Sequence, residues 1–287
     1  MLSKYKQAGF SLLLSAVLIS SGCQVNNINL TPLMDAGKKS SDLFEKSLDE
    51  EVSLGQEVSG VLLRDQNLYN VAEVQRYVSS VGLWLALHSE RTEVPWKFAV
   101  IRDDSFNAYA TPGGYIYITS GTLEQLDSEA ELAGVLAHEI AHVVEKHHLQ
   151  AIQKEARVGI AADLAKFLRD SQRDTKQHNE MFAGMSPEAK LLQSVQDIYS
   201  DGLAREDELA ADRLGMLIAA RAGYDPMAYI TVLQKIDSRS QDSYFWERFN
   251  KRHPSATDRL EALEAIAAAL SPLRGKVLNQ RYADMIK

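Results

Sequence analysis

A pair of histidines, four residues apart, interrupts an apolar stretch in the middle of this 287-residue chain. The stretch reads LAGVLAHEIAHVV, and it follows the residues SEAE at 128–131, which have the form of a helix-capping box. The pattern predicts a helix from Ser128 to about Lys154. On such a helix His138 and His142 lie one above the other and can direct both imidazoles at a single ion.

Glu139 lies beside the first histidine and is rotated away from the shared face by one residue. A hydrolytic zinc centre uses this arrangement, with two ligands and a carboxylate that takes a proton from metal-bound water. The five-residue pattern alone is equally compatible with polar residues that face solvent. The apolar flanks favour a metal, because buried polar groups need partners. His147 and His148 are interpreted as polar residues at the negative end of the helix dipole rather than as ligands.

A hydrolytic zinc keeps three protein ligands and one open position, so a third ligand is expected from another element. The best candidate is Glu208 in AREDELAADRLG, on a second predicted helix. Asp212 follows four residues later on the same face and is placed to accept a hydrogen bond from a ligand histidine. By composition alone, a solvated acidic helix face explains this segment better, because acidic residues are plentiful in the chain.

The N-terminus, MLSKYKQAGFSLLLSAVLISSGCQ, has two lysines, an apolar stretch and small residues before Cys23, as a secretory signal does. It resembles a bacterial lipobox, although Ser20 stands where a leucine is usual. We therefore expect a lipoprotein signal peptide over 1–22, lipidation of Cys23 and a polar tether over 23–45. Residue 24 is a glutamine and not the aspartate that usually signals retention in the inner membrane, which favours the outer membrane by analogy. The alternative is an uncleaved anchor, or a secreted protein with an incidental cysteine.

The net charge of −8 argues against a general nucleic-acid-binding protein, which normally presents a basic face. Beyond the first 25 residues no apolar run is long enough for a membrane span, so none is expected there. Hydrophobic periodicity instead predicts a mostly helical protein with one small sheet. The helical patterns cover 49–90, 155–170, 203–222, 227–240 and 256–270. The β-rich segments are 96–101 and 107–119, and 169–190 is interpreted as a loop or flap.

Three motifs in order, HEIAH, REDELAAD at 205–212 and RHPS at 252–255, resemble a known family. This family is that of the gluzincin zinc metallopeptidases, which include the HtpX and Oma-type proteases and the CAAX prenyl endopeptidase. Within it the chain is most similar to periplasmic lipoprotein members of bacteria. The resemblance covers roughly 50–265 and implies an α+β, mostly helical zincin-type metallopeptidase domain over 46–270. A small β-sheet would place its edge strand beside the active-site helix, and 271–287 would form a C-terminal tail.

The resemblance also implies roles for single residues. His138, His142 and Glu208 would bind one zinc ion per chain, Glu139 would be the general base, and Asp212 falls on an aspartate that supports a ligand histidine.

Two later residues also match the family. His253 falls on a histidine that either stabilises the oxyanion or occupies the open zinc position and holds the enzyme latent. Arg259 matches an arginine expected in an ion pair. The strand that pairs with substrate backbone corresponds to Asn107, Ala108, Tyr109, Ala110, Pro112, Gly113 and Gly114.

We therefore expect a zinc-dependent endopeptidase of the bacterial cell envelope, anchored in the periplasm to the outer membrane through Cys23. Its expected substrates are unfolded or misassembled envelope proteins, because a strand-pairing cleft needs an extended backbone. The alternative is a chaperone-like assembly factor for outer-membrane proteins with a latent zinc site. Glu139 argues against a purely structural site, which needs no base, whereas His253 leaves latency open.

Overall fold

A computed structural model describes residues 47–64, 66–155, 195, 197–199, 201–239 and 253–287. The expected signal peptide, the tether with Cys23 and the loop at 169–190 lie outside these residues. So does all but the first residue of the helical pattern at 155–170. The membrane anchor and the loop therefore stay predictions.

Two helices begin the described chain. Helix α1 (Leu48–Leu62) starts with a capping box, in which the Ser47 hydroxyl accepts from the Glu50 N–H and the Glu50 carboxylate accepts from the Ser47 N–H. Helix α2 (Ala72–Ala86) follows after a turn and a β-bridge. The structure thus divides the helical pattern at 49–90 into two elements.

A three-stranded sheet comes next, formed by β1 (Lys97–Ile101), β2 (Ala108–Thr111) and β3 (Tyr115–Thr119). The strand order is β1-β3-β2, with β3 parallel to β1 and antiparallel to β2. The 3-10 turn Pro112–Gly114 reverses the chain between β2 and β3. Gly113 in this turn has a φ of 74°, a conformation that glycine adopts without steric cost. Strand β2 is therefore an outer strand of the described sheet.

Helix α3 (Ser120–Gln125) is short and leads into helix α4 (Glu129–Val144), which is buried along all but its last residue. The sequence predicted one helix as far as about Lys154, and this prediction was wrong. Lys146 has a φ of 58°, and a left-handed residue cannot continue a right-handed helix. A separate helix, α5, begins at 147 and is described as far as 155.

Three of the remaining described helices match predicted segments to within two residues, and the last helix was not predicted. They are α6 (Arg205–Arg221), α7 (Met227–Arg239) and α8 (Ala256–Leu270), followed by α9 (Asn279–Ile286). Helix α6 ends before Gly223, whose φ of 85° gives the left-handed stop that the sequence suggested.

Residues 271–287, which the sequence assigned to a C-terminal tail, contribute to the hydrophobic core. Tyr282 in α9 is fully buried, and its hydroxyl donates to the Leu123 carbonyl over 2.5 Å. The neighbouring Arg281 forms an ion pair with the buried Glu129 at the start of α4. These contacts join the end of the chain to the central helix.

The main hydrophobic core surrounds α4, which packs against α2, α6, α7, α9 and strand β2. The predicted fold class, α+β and mostly helical with a small sheet beside the histidine-bearing helix, is confirmed. Among the described residues, no helix combines the length and the apolar character needed to cross a membrane.

Candidate metal centre

Helices α4 and α6 bring two imidazoles and one carboxylate together. The Nε2 atoms of His138 and His142 lie 3.1 Å apart, and the Glu208 carboxylate oxygens lie 3.6 and 3.5 Å from them. All three side chains are buried. Two ligands of a tetrahedral zinc ion, with bonds of about 2.0–2.1 Å, are separated by roughly 3.3 Å. The donor atoms therefore have both the chemistry and the separations that a zinc ion requires.

Asp212 contacts the outer nitrogen of His138, with 2.9 Å between Oδ1 and Nδ1. Arg259 donates two hydrogen bonds to this carboxylate, over 2.9 and 2.5 Å, and the Tyr229 hydroxyl donates a third over 2.7 Å. Burial alone would raise the pKa of Asp212, but the Arg259 guanidinium outweighs burial and holds the pKa well below its usual range. A hydrogen on His138 Nδ1 would point at the charged Asp212, and this tautomer leaves the Nε2 lone pair for a metal.

Glu139 is buried on α4 and lines the same cavity as His142, Glu208 and the start of strand β2. Burial raises the pKa of its carboxyl to about 7, and His138 and Glu208 act on it in opposite directions. The backbone of Ala110 in β2 acts in the lowering direction on the same pKa. A carboxyl group with a pKa near neutrality can both accept and release a proton at physiological pH, as a general base must.

Two more histidines lie beside the metal-binding residues. His147 Nδ1 lies 3.1 Å from His142 Nδ1, and the His148 ring stacks on Tyr199 with 4.8 Å between centroids. Burial lowers the pKa of His142 well below its usual range, which favours the neutral imidazole that binds metals. The sequence placed His147 and His148 at a polar helix end, but both are buried, because the break at Lys146 turns them inward.

His253 lies against the same centre. Its Nδ1 is 2.6 Å from Glu208 Oε2, and its ring is 6.1 Å from that of His138. Burial opposes ionisation of Glu208, but the nearby His253 and His142 hold the pKa of this carboxyl well below its usual range. Glu208 is therefore a charged ligand candidate with His253 on one of its oxygens.

A cavity of about 30 Å³ lies between the metal-binding residues and the start of β2. Residues 107–109, Glu139 and His253 are among the residues that line it. The Tyr199 hydroxyl also lines the cavity and donates to the Ala110 carbonyl over 2.6 Å. Of the seven residues proposed to bind substrate, the structure thus brings the first four to the centre.

The turn Pro112–Gly114 does not line this cavity and packs against α1 instead. The Gly113 N–H donates to Glu51 over 3.1 Å, and Glu51 accepts two hydrogen bonds from Arg91 over 2.9 and 3.0 Å. Arg91 also donates to the Val143 carbonyl at the end of α4. This network fixes the end of β2 relative to α4. The sequence motifs indicated Gly113 as a substrate-binding residue but did not single out Glu51 or Arg91.

Residues 72–267 match the sequence model of peptidase family M48. The chain belongs to this family. The match confirms the resemblance found in the motifs, and it includes the histidines of α4 and the acidic residues of α6.

Similar proteins carry names that agree with the M48 assignment. The Beta-barrel assembly-enhancing protease of Escherichia coli (strain K12) is 27% identical over 234 residues, which cover 79% of this chain and 46% of that protein. The Mitochondrial metalloendopeptidase OMA1 of Schizosaccharomyces pombe is 27% identical over 221 residues, covering 76% and 61%. Protease HtpX of Legionella pneumophila is 29% identical over 228 residues, covering 75% of each chain. The chain therefore spans about half the length of the first of these relatives.

Proposed function

We propose that this M48 member is a zinc-dependent endopeptidase of the bacterial cell envelope that cleaves unfolded or misassembled proteins. One observation carries the proposal: the buried Glu139 lies beside a set of three zinc-ligand candidates and lines a cavity together with the start of the outer strand β2. A structural zinc site is closed by four protein ligands, whereas three ligands leave a position for water. Glu139, which is not one of the three ligand candidates, can then act as the base.

The mechanism assigns one task to each group. Zinc held by His138, His142 and Glu208 would polarise the scissile carbonyl and lower the pKa of a water molecule. Glu139 takes the proton of that water and later passes it to the leaving amine. His253, at the edge of the same cavity, is the leading candidate to donate a hydrogen bond to the oxyanion.

Strand β2 supports an extended peptide as the substrate. Asn107 accepts a hydrogen bond from Thr119 at the end of β3, so the alternation of an antiparallel pair turns the backbone groups of Ala108 and Ala110 away from β3. The Ala110 carbonyl accepts from the Tyr199 hydroxyl on this side, so a pairing peptide would have to displace that hydroxyl. A peptide that pairs with this side passes next to Glu139. Unfolded or misassembled proteins supply such strands, whereas folded proteins have most of theirs paired.

The cellular location rests on the sequence and on one relative. The lipobox-like stretch before Cys23 supports attachment to the outer membrane on the periplasmic side. The Escherichia coli relative is named for enhancing β-barrel assembly, which supports a role among envelope proteins. The acidic net charge supports protein substrates over nucleic acids.

The second candidate is a chaperone-like assembly factor with a latent zinc site, and the contact between His253 and Glu208 favours it. This contact, over 2.6 Å, takes up one oxygen of a ligand candidate. The cavity of about 30 Å³ has room for one or two water molecules but not for a peptide. In such a latent state, the residues around the cavity would have to rearrange before the site could bind and cleave a peptide.

A charge-neutral substitution of the base tests the peptidase proposal. Glu139→Gln should retain zinc and lose cleavage of unfolded casein by about 10²- to 10⁴-fold, because proton transfer is removed while the ligands stay. The matched control is Glu145→Gln, an exposed glutamate at the end of the same helix, which should cleave at the wild-type rate. Undiminished cleavage by Glu139→Gln would rule out the proposed mechanism.

Complementation separates the two candidate functions. Cells that lack the protein and receive Glu139→Gln should keep any defect if the protein acts as a peptidase. If the variant restores outer-membrane protein assembly to the wild-type level, the chaperone-like role is favoured.

A further inference from the structure

His147 reaches the metal centre only because helix α4 ends before it. On an uninterrupted helix, a residue five positions after His142 would lie about 140° around the helix axis from it. Instead, Lys146 adopts a φ of 58°, and the new helix starts with His147 facing back onto His142. A left-handed lysine is strained backbone, which persists where the surrounding contacts determine it.

The two ligand histidines have different partners on their outer nitrogens. His138 Nδ1 lies 2.9 Å from the carboxylate of Asp212, whereas His142 Nδ1 lies 3.1 Å from His147 Nδ1. For His142 to direct the lone pair of Nε2 at a metal, its hydrogen must be on Nδ1, so His147 Nδ1 is the acceptor. The hydrogen of His147 is then on Nε2, which faces Asp207 Oδ1 at 3.8 Å.

We propose that His147 is a positioning residue for the metal centre, which accepts a hydrogen bond from His142 Nδ1 and has the Asp207 carboxylate 3.8 Å from its Nε2. The inference rests on the proposed function, because it requires a metal on His142. Asp207 directly precedes Glu208 in α6, so the chain of contacts joins the end of α4 to the helix that supplies the third ligand. The buried His147 ring would therefore serve His142 as Asp212 serves His138, as the partner of the outer nitrogen.

Three substitutions of His147 separate hydrogen bonding from packing. His147→Phe keeps a ring of similar size without the acceptor. His147→Asn places its amide oxygen near the position of the lost Nδ1, whereas His147→Gln extends the same amide beyond it. A substitution of His88, whose ring packs at a tilt against that of Trp84 in helix α2, to Phe serves as a control for replacing a histidine ring elsewhere.

The measurement is zinc affinity, by competition with a chromophoric chelator, together with the absorption spectrum of the Co²⁺-substituted protein. His147→Phe and His147→Gln should bind zinc roughly 10- to 100-fold more weakly and show an altered Co²⁺ spectrum. His147→Asn should recover most of the affinity, and His88→Phe should match the wild type. A residue that only fills space would not produce the difference between asparagine and glutamine.

Each outcome has one meaning. If wild-type protein binds no zinc, the proposed function fails. If the wild type binds zinc and cleaves unfolded protein, but His147→Phe and His147→Gln bind zinc as tightly, the positioning role alone is overturned. Equal losses in His147→Asn and His147→Gln also overturn it, because the acceptor position would then not matter.

Discussion

Arg259 and Asp212 show how the centre depends on single residues that are distant in sequence. Both side chains are buried, and their hydrogen bonds orient His138 through the carboxylate. The family motifs predicted an ion pair for Arg259, but its partner became evident only in the structure. Tyr229, which also donates to Asp212, was not predicted, because a tyrosine on an amphipathic helix has the pattern of an ordinary core residue.

Removal of the buried cation should destabilise the protein strongly. Arg259→Met leaves Asp212 charged in the interior, and breaking such a pair costs about 3–5 kcal/mol. The free energy of unfolding in urea would measure the loss. Arg221→Met is the matched control, because the ion pair of Arg221 with Glu90 is exposed and should contribute only about 0–1 kcal/mol. Similar losses in both variants would contradict the role of the buried pair.

At the scale of elements, the site depends on the close approach of α4 and α6. A Cβ atom on Gly215 would lie 2.9 Å from His138 N and 3.0 Å from His138 Cα, both rigid backbone atoms. The sequence predicted both helices but not this contact, because a glycine inside a helical pattern carries no information on what it packs against. The end of α4 at Lys146 was missed for a similar reason, since glycine is the usual signal of a left-handed stop.

An added methyl group at the helix contact should separate the ligands. Gly215→Ala forces α6 away from α4, so we expect a loss of about 1–3 kcal/mol in unfolding free energy and weaker zinc binding. Gly60→Ala is the matched control, because a Cβ at this exposed position in α1 meets no atom within 4 Å. The control should gain about 0.5–1 kcal/mol from helix propensity. Unchanged zinc affinity in Gly215→Ala would argue against the importance of this contact.

At the scale of the whole molecule, the periodicity of the sequence predicted the mixture of helices and one small sheet, since most of the amphipathic helices bury one face. The final helix was not predicted, because it has eight residues and only Tyr282 is buried. Its packing against α3 and α4 depends on tertiary contacts that no local pattern contains. The strand order of the sheet, with β2 at the edge, likewise became evident only in the structure.

Bound zinc should stabilise the folded protein, because its ligands come from two helices, α4 and α6. A ligand that binds only the folded state stabilises it by about 2.7 kcal/mol at one hundred times its dissociation constant. In a domain of this size, chelation should lower Tm by roughly 5–10 °C, and added zinc should restore it. Calorimetry with and without chelator measures this shift. A Tm that does not change when chelator is added would contradict a stabilising effect of zinc on the fold.

The most direct test of the zinc-peptidase account is the zinc content of the purified chain by native mass spectrometry. The account predicts one zinc ion per chain in the wild type and its loss in Glu208→Ala, which removes the ligand on α6. Glu206→Ala removes an exposed acid from the same helical turn and should keep the ion. A wild type without zinc, or a Glu208→Ala variant that keeps one ion per chain, would contradict the account.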